Sequence, residues 1–126
     1  MATLGIVPAG VAVASSPATT TIQLVAKQTA TRFTSSSFQT SETDTQAGKL
    51  VGYDVLSCQP ESAGAFNCGV GLSLSKGMIF GQFVSSASGN DSGRVSGGTG
   101  AYKGATGTIA GHAISSTAEA VTITLT

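Results

Sequence analysis

Residues 93–107 form a glycine-rich segment, with six glycines in fifteen positions around a single aromatic residue, Tyr102. Glycine weakens the interior of a strand, but it allows a positive φ angle or a very close approach of two backbones. β-favouring residues resume directly after this segment. The pattern therefore predicts a sharp corner between two strands, and any fold for this chain must contain that corner.

Most of the remaining chain alternates between apolar and polar or small residues, as β-strands do. Residues 65–74 alternate most regularly, and no window shows the period of a helix. The polar runs 35–48 and 86–93 are predicted to be loops, and the predicted strands are 21–34, 49–57, 65–74, 78–85, 94–96, 105–115 and 120–126. Seven or eight short strands indicate an all-β fold, and a closed barrel is favoured because it leaves no exposed edge at residues 121–125.

Composition limits the partners of this chain. Six basic and six acidic residues balance, and charged residues make up only 10% of the sequence. This balance argues against binding to nucleic acid or to an anionic membrane surface, and no apolar run is long enough for a transmembrane helix. We expect one barrel domain over residues 19–126. Residues 1–18 contain a weakly apolar run that ends in Ala-Val-Ala, and a signal-peptide remnant, a tail and an ordered arm all fit it.

The two cysteines, Cys58 and Cys68, are ten residues apart. In a secreted chain this spacing indicates a disulfide, whereas in a cytosolic protein it is compatible with two buried free thiols. We favour the disulfide and therefore secretion, with a cytoplasmic place in a biosynthetic pathway as the alternative. Neither the spacing nor a neighbouring histidine indicates a metal site.

The corner sequence 95–107 resembles the Gly-Gly-Thr-Gly-aromatic corner of the allene oxide cyclase and dirigent-like barrel superfamily. The hairpin before the corner resembles bacterial members at Gly52, Cys58, Cys68, Gly77 and Ile79, and the resemblance covers about residues 20–126. It implies an eight-stranded antiparallel barrel with a mostly apolar lumen, assembly into dimers or trimers, and no cofactor. In this interpretation the corner residues are structural, with Tyr102 as a plug: Gly97, Gly98, Gly100, Tyr102, Gly104 and Gly107.

Members of this superfamily confine a reactive small molecule, and the resemblance implies cyclisation or isomerisation, or the steering of a coupling reaction. The site residues of the plant members do not carry over. Their first-strand acid is missing from residues 25–29, the usual arginine after the corner is Thr106, and Cys58 has a disulfide partner in prospect. Any chemistry must therefore come from other positions.

Three polar residues on predicted strands are candidate catalytic groups. Asp54 shares a face with Leu50 and Leu56, so in a lumen its carboxyl group would be desolvated and suited to acid–base chemistry. On a barrel rim it would instead pair with a basic residue. His112 and Tyr53 are further candidates for proton transfer or ligand contact, although an exposed strand position also fits the histidine. Candidate ligand-lining residues are Phe66, Phe80, Phe83, Met78 and Arg94, since parity alone does not decide which strand face is the lumen.

The favoured function is a cofactor-independent cyclase or isomerase that folds an apolar substrate inside the barrel. The alternatives are a secreted, non-catalytic barrel that binds a hydrophobic small molecule and a purely structural barrel. An open lumen lined by Asp54 or His112 favours catalysis, a wholly apolar open lumen favours binding, and a lumen filled by Phe and Leu favours the structural role.

Overall fold

The computed structural model describes residues 19–126, which form a closed eight-stranded antiparallel β-barrel. This confirms the predicted fold class. Residues 1–18, for which the sequence leaves three interpretations open, lie outside the described residues. The strands are β1 (Thr20–Thr34), β2 (Ser37–Gln46), β3 (Lys49–Pro60), β4 (Phe66–Leu74), β5 (Gly77–Ser85), β6 (Asn90–Gly98), β7 (Gly107–Ala113) and β8 (Ala118–Leu125).

Each strand pairs with the next along the chain, and β8 returns to pair with β1. The closing ladder runs from the pair Thr20–Leu125 to the pair Lys27–Ala118. It satisfies the backbone groups that an open sheet would expose at its edges. Because successive strands run in opposite directions, their connections alternate between two ends, which we call the corner end (connections 47–48, 75–76 and 99–106) and the disulfide end (35–36, 61–65, 86–89 and 114–117).

Strand β2 corrects the prediction of a polar loop over residues 35–48. Thr40, Glu42 and Asp44 point into the barrel and are buried, whereas Gln39 and Ser41 between them are exposed. The alternation expected of a strand is therefore present, but polar side chains occupy both faces. The strand is stabilised by pairing with β1 on one side and β3 on the other. The pattern of apolar residues in the sequence does not reveal this pairing.

The apolar interior divides into two parts. Seven side chains fill the barrel towards the corner end: Ile22, Leu24, Leu72, Ile79, Val95, Ile109 and Ile123. Each such side chain stabilises the fold by about 1.5–3 kcal/mol when fully buried. Towards the disulfide end, a smaller cluster contains Phe83 and the bonded pair Cys58–Cys68, which lie opposite each other on β3 and β4. The predicted disulfide is confirmed.

The glycine-rich segment includes the end of β6, the connection 99–106 and the first residue of β7, so the predicted corner between two strands lies within it. A short 3₁₀ turn, Gly100–Tyr102, carries Tyr102 onto the apolar core, where its ring is half-buried. The turn is tied to the β4–β5 connection, because the backbone N–H of Ala101 donates to the carbonyl oxygen of Lys76 at 2.9 Å. Tyr102 therefore covers the corner end of the barrel.

Two glycines of this segment provide a matched test of the corner. Gly107 has φ +149°, and a Cβ atom there would collide with the carbonyl oxygen of Thr124, whereas a Cβ at Gly97 would meet open space. We expect Gly107→Ala to lower the free energy of unfolding by about 2–4 kcal/mol and Gly97→Ala to change it by less than about 1 kcal/mol. Urea unfolding of both variants measures this difference, and equal stabilities would contradict the assignment.

Candidate functional site

A cavity occupies the barrel lumen between the apolar core and the disulfide end. The space between its atoms, including solvent at the mouth, is about 490 Å³, and the part of it open to the centre of a water molecule is about 40 Å³. Inward-facing residues of all eight strands contribute to its wall. The cavity therefore forms only when the barrel is closed. Ten of its fifteen lining residues are apolar: Leu24, Ala26, Leu56, Val70, Leu72, Ile79, Phe83, Ile109, Val121 and Ile123.

The other five lining residues are all acidic, and we call them the carboxyl cluster: Glu42 and Asp44 on β2, Asp54 on β3, Asp91 on β6 and Glu119 on β8. The chain has six acidic residues, and the sixth, Glu61, is exposed in the β3–β4 connection. None of the six basic residues and not His112 lines this cavity. An apolar lumen thus holds five groups of one sign without a protein counter-charge.

Strand register brings the cluster together from two walls. Glu42 pairs directly with Asp54 across β2 and β3, and Asp44 lies two residues further along the same face of β2. Cross-strand partners have Cβ atoms about 4.5–5.5 Å apart, close enough for carboxyl groups to meet. Ala26 on β1 pairs with Asp44 on one side and with Glu119 on the other, and its small side chain leaves the space between these two acids open.

The second wall is shaped by a glycine on β7. Gly111 pairs with Asp91 of β6, and a Cβ atom at Gly111 would lie 3.3 Å from Oδ2 of Asp91. The carboxyl group of Asp91 therefore lies over the bare backbone of Gly111, in the direction of β8. There it is hydrogen-bonded to Glu119. The cluster consists of a group of three acids on β2 and β3 that faces this pair.

Burial in the apolar lumen raises the pKa of Asp54 to about 10. The hydrogen bond with Asp44, the charge of Glu42 and the hydrogen bond with Glu42 add to this increase in pKa. A hydrogen bond between two carboxyl groups requires a proton, and the group with the higher pKa holds it. Asp54 is therefore the neutral acid on this wall, and its O–H donates to a neighbouring carboxylate.

The other wall repeats this arrangement. Burial first, then the hydrogen bond with Asp91 and the charges of Asp91 and Glu42, raises the pKa of Glu119 to about 8. Burial also raises the pKa of Glu42 and of Asp44, although in both the hydrogen bond with Asp54 acts in the opposite direction. Each wall thus places a protonated carboxyl, Asp54 or Glu119, beside another carboxyl group of the cluster.

Three carboxyl oxygens of the cluster are buried without a hydrogen-bond partner: Asp44 Oδ2, Asp54 Oδ1 and Asp91 Oδ1. Their side chains are only 1%, 6% and 6% exposed. Burying a polar oxygen without a donor costs about 1–3 kcal/mol, so these atoms are available to a donor from a bound molecule. Within residues 19–126, no group of three acidic, His or Cys side chains has the arrangement of a metal site.

A second cavity joins the lumen to solvent at the disulfide end, and we call it the mouth. The space between its atoms, including open solvent, is about 580 Å³, of which about 160 Å³ is open to the centre of a water molecule, and it shares Glu42, Asp91 and Glu119 with the lumen cavity. Its rim is polar, with Gln28 and residues 115–117 of the β7–β8 connection. Since Tyr102 covers the corner end, the mouth is the route from solvent to the carboxyl cluster.

Two of the residues predicted to carry the site line the lumen, namely Asp54 and Phe83. Asp54 is not the rim residue paired with a basic group that the sequence also allows. Phe66 lies near the disulfide end, where it packs against the Cys58–Cys68 cluster and meets the ring of Phe38 edge-on at 5.0 Å between centroids. It therefore supports the wall of the mouth without lining the lumen.

The structure corrects the expected placement of the remaining candidates. Tyr53, His112 and Arg94 are exposed on the outer face, and Met78 and Phe80 also lie on that face. The physical reason is that successive side chains of a strand point to opposite faces. Each of the five residues is next in sequence to a residue that faces inwards, namely Asp54, Gly111, Val95 or Ile79. These five residues have no contact with the lumen cavity.

Four acids of the cluster escaped sequence reasoning: Glu42, Asp44, Asp91 and Glu119. The first two lie on the strand that is predicted to be a loop, and the other two lie near the beginnings of β6 and β8 among small residues. One signal was available, since Thr40, Glu42 and Asp44 share one parity. Such a polar series indicates a lumen-facing strand only when the barrel is already known.

No protein-family model matches the chain, and no curated protein sequence matches it either. Among solved structures, a protein named pyocyanin demethylase is similar, with a TM-score of 0.73 and 21% sequence identity, over 85% of this chain and 100% of that one. At this identity the likeness shows the fold, a small eight-stranded barrel. The resemblance to allene oxide cyclases and dirigent proteins stays a prediction. Between residues 19 and 126, no helix has the length and apolarity needed to cross a bilayer.

The carboxyl cluster makes barrel stability depend on pH. Asp54 has a raised pKa in the folded state, so it keeps a proton that the unfolded chain releases near about pH 4. Its stabilising contribution is complete below that pH and is lost as pH rises through about 10. We expect urea unfolding to show lower stability at pH 8.5 than at pH 5, by about 1.4 kcal/mol per pH unit for each such carboxyl.

Two variants isolate this effect. Asp54→Asn removes a proton-binding group without changing its shape, so it should flatten the decline in stability between pH 5 and pH 8.5. Glu61→Gln makes the same kind of replacement, a carboxyl group by an amide, on the surface and should leave the decline intact. Stability that is constant or that increases over this range in the unmodified protein would contradict the shared-proton arrangement.

Proposed function

We propose that the barrel is a cofactor-independent acid–base enzyme that moves protons in an apolar small molecule held in its lumen. Isomerisation and ring closure are the reactions in view. The observation that carries this proposal is the carboxyl cluster, in which the neutral acid Asp54 lies beside Glu42 and Asp44 in an otherwise apolar cavity. A catalytic acid works best when its proton is present at neutral pH and water is excluded.

The two walls of the cluster supply both directions of proton transfer. Asp54 donates its proton to one atom of the substrate, while a carboxylate of the cluster accepts a proton from another. Glu119 and Asp91 on the facing wall provide a second hydrogen-bonded pair. A positioned acid or base contributes about 10²–10⁴-fold to the rate. Ring closure gains further from confinement, since a flexible chain held in a narrow lumen loses little additional freedom at the transition state.

A non-catalytic barrel that binds a hydrophobic ligand is the second candidate. The ten apolar side chains of the lumen support it, because they present a hydrophobic wall to any bound molecule. The structural neighbour is named for a reaction of a small molecule, which supports a small-molecule site in either case. The disulfide Cys58–Cys68 is compatible with secretion, which we retain as part of this proposal.

Assembly into dimers or trimers remains a prediction. The outer face of β3 to β5 is where we expect contact, because Tyr53, Val55 and Phe80 are exposed there by 56%, 55% and 38%. Val55 and Phe80 flank Gly71 in one cross-strand row, so these two apolar side chains lie on one part of the outer surface. Sedimentation equilibrium measures the assembly directly.

The acid–base proposal is tested with 5-nitrobenzisoxazole, a flat and apolar carbon acid. A carboxylate removes its ring C–H proton, the electrons of that bond form a nitrile, and the N–O bond breaks to release a coloured nitrophenolate. We expect the barrel to exceed an equal concentration of acetate by about 10²-fold or more at the same pH. Asp54→Asn and Glu42→Gln should each lower this rate at least about tenfold.

Glu61→Gln and Tyr53→Phe are the matched controls, since both residues are exposed outside the lumen, and both variants should retain the full rate. A barrel that is no faster than acetate would contradict the enzymatic proposal. So would lumen variants that retain the unmodified rate. Binding of the probe without turnover would favour the second candidate.

A further inference from the structure

We infer that the ligand of the lumen is an organic cation, a protonated amine attached to an apolar body. This inference rests on the proposed function for the existence of a small-molecule site, and it adds the charge of the molecule that the site selects. Its basis is the pairing of an apolar wall with unpartnered carboxyl oxygens in one cavity.

Charge is distributed very unevenly between the inside and the outside of this barrel. Five of the six acidic residues line the lumen, whereas every basic residue is exposed and none lines it. Strands β2, β3, β6 and β8 supply the acids, and β1, β4, β5 and β7 supply only apolar side chains to the cavity. No group of the described chain therefore offsets the negative charge of the cluster from any side.

The unpartnered oxygens specify the kind of contact that is missing. Asp44 Oδ2, Asp54 Oδ1 and Asp91 Oδ1 belong to side chains that are at least nine-tenths buried, and they come from both walls of the cavity. A carboxylate oxygen, and the carbonyl oxygen of a neutral carboxyl group such as Asp54, accepts hydrogen bonds, so a donor satisfies it. A primary ammonium group carries three N–H donors, and its charge makes each of those hydrogen bonds stronger.

The apolar wall determines the remainder of the molecule. The cavity is lined near the cluster by Leu56, Val70 and Phe83, which gain nothing from a polar body. An isolated ammonium would be too costly to transfer into such surroundings, but the facing carboxylates offset that cost. A carboxylate ligand would meet like charge and unsatisfied acceptors, and a neutral ligand would leave the oxygens without partners.

Binding of a cation changes the protonation of the cluster. A positive charge held between Asp91 and the other four acids favours the ionised forms of Glu42, Asp44, Asp54 and Glu119, so the barrel releases protons when the cation binds. Affinity for the cation therefore increases with pH as long as the amine remains protonated. Affinity for a neutral molecule of the same shape should not increase with pH in this way. The difference in pH dependence between the two ligands does not depend on the size of the site.

The test uses three probes of one shape: 1-naphthylmethylammonium, 1-naphthylmethanol and 1-naphthoate. Naphthalene fluorescence reports their binding, and the chain has no tryptophan to interfere. We expect Kd for the ammonium to be at least tenfold lower than for the alcohol at pH 7, with the carboxylate weakest, and to decrease further from pH 6 to pH 8. Asp54→Asn and Asp91→Asn should each reduce the preference severalfold, and Glu61→Gln should preserve it.

Both lumen variants replace a buried carboxyl group by a neutral group of the same shape, so they keep the fold, and circular dichroism verifies this. Equal affinity for the ammonium and the alcohol would overturn the inference, as would a preference that survives both lumen variants. Absence of binding by all three probes also overturns it. In each of these cases the 5-nitrobenzisoxazole assay still decides the acid–base proposal by itself, since that probe is neutral.

Discussion

The burial of five carboxyl groups in an apolar barrel without a basic partner is the constraint on which this structure depends. Five ionised groups in one cavity would repel each other and would lose their hydration, at a cost of several kcal/mol for each ion. The cluster avoids this cost by sharing protons, with Asp54 and Glu119 as the neutral members. Proton sharing requires the oxygens to approach closely, so the backbone around them must permit that approach.

Small residues at two positions leave room for the carboxyl groups to approach each other. Ala26 separates Asp44 from Glu119, and Gly111 leaves room for the carboxyl group of Asp91. The remainder of the barrel keeps these positions fixed. Closure between β1 and β8 removes sheet edges, Tyr102 covers the corner end, and the disulfide holds β3 to β4 beside the mouth. A cluster of like groups is therefore maintained by a scaffold that does not itself depend on charge.

Sequence alone predicts the features that follow from backbone geometry and apolar alternation. The corner at residues 93–107, the all-β barrel and the disulfide are of this kind, because glycine density, period-two patterns and cysteine spacing have direct structural causes. Strand β2 could not be predicted in this way, since its inward positions are Thr40, Glu42 and Asp44 and its pairing partners lie elsewhere in the chain.

The site was predicted only in part for the same reason. Asp54 stands in a strand with apolar neighbours and is recognisable, but its partners become neighbours only through register and closure. Parity leaves two faces open for every strand. In the folded barrel Asp91 and Glu119 face the lumen. Five of the predicted site residues face outwards instead: Tyr53, His112, Arg94, Met78 and Phe80. Tertiary structure therefore determines the chemistry of this chain more than any local motif does.

The shared-proton cluster is tested most directly by carbon-13 NMR titration of the side-chain carboxyl carbons, which reports the pKa of each acidic residue. The account predicts that Asp54 titrates near pH 10 and Glu119 near pH 8, because burial raises the pKa of both groups to about those values. Transitions of both Asp54 and Glu119 below about pH 5 would contradict the shared-proton cluster.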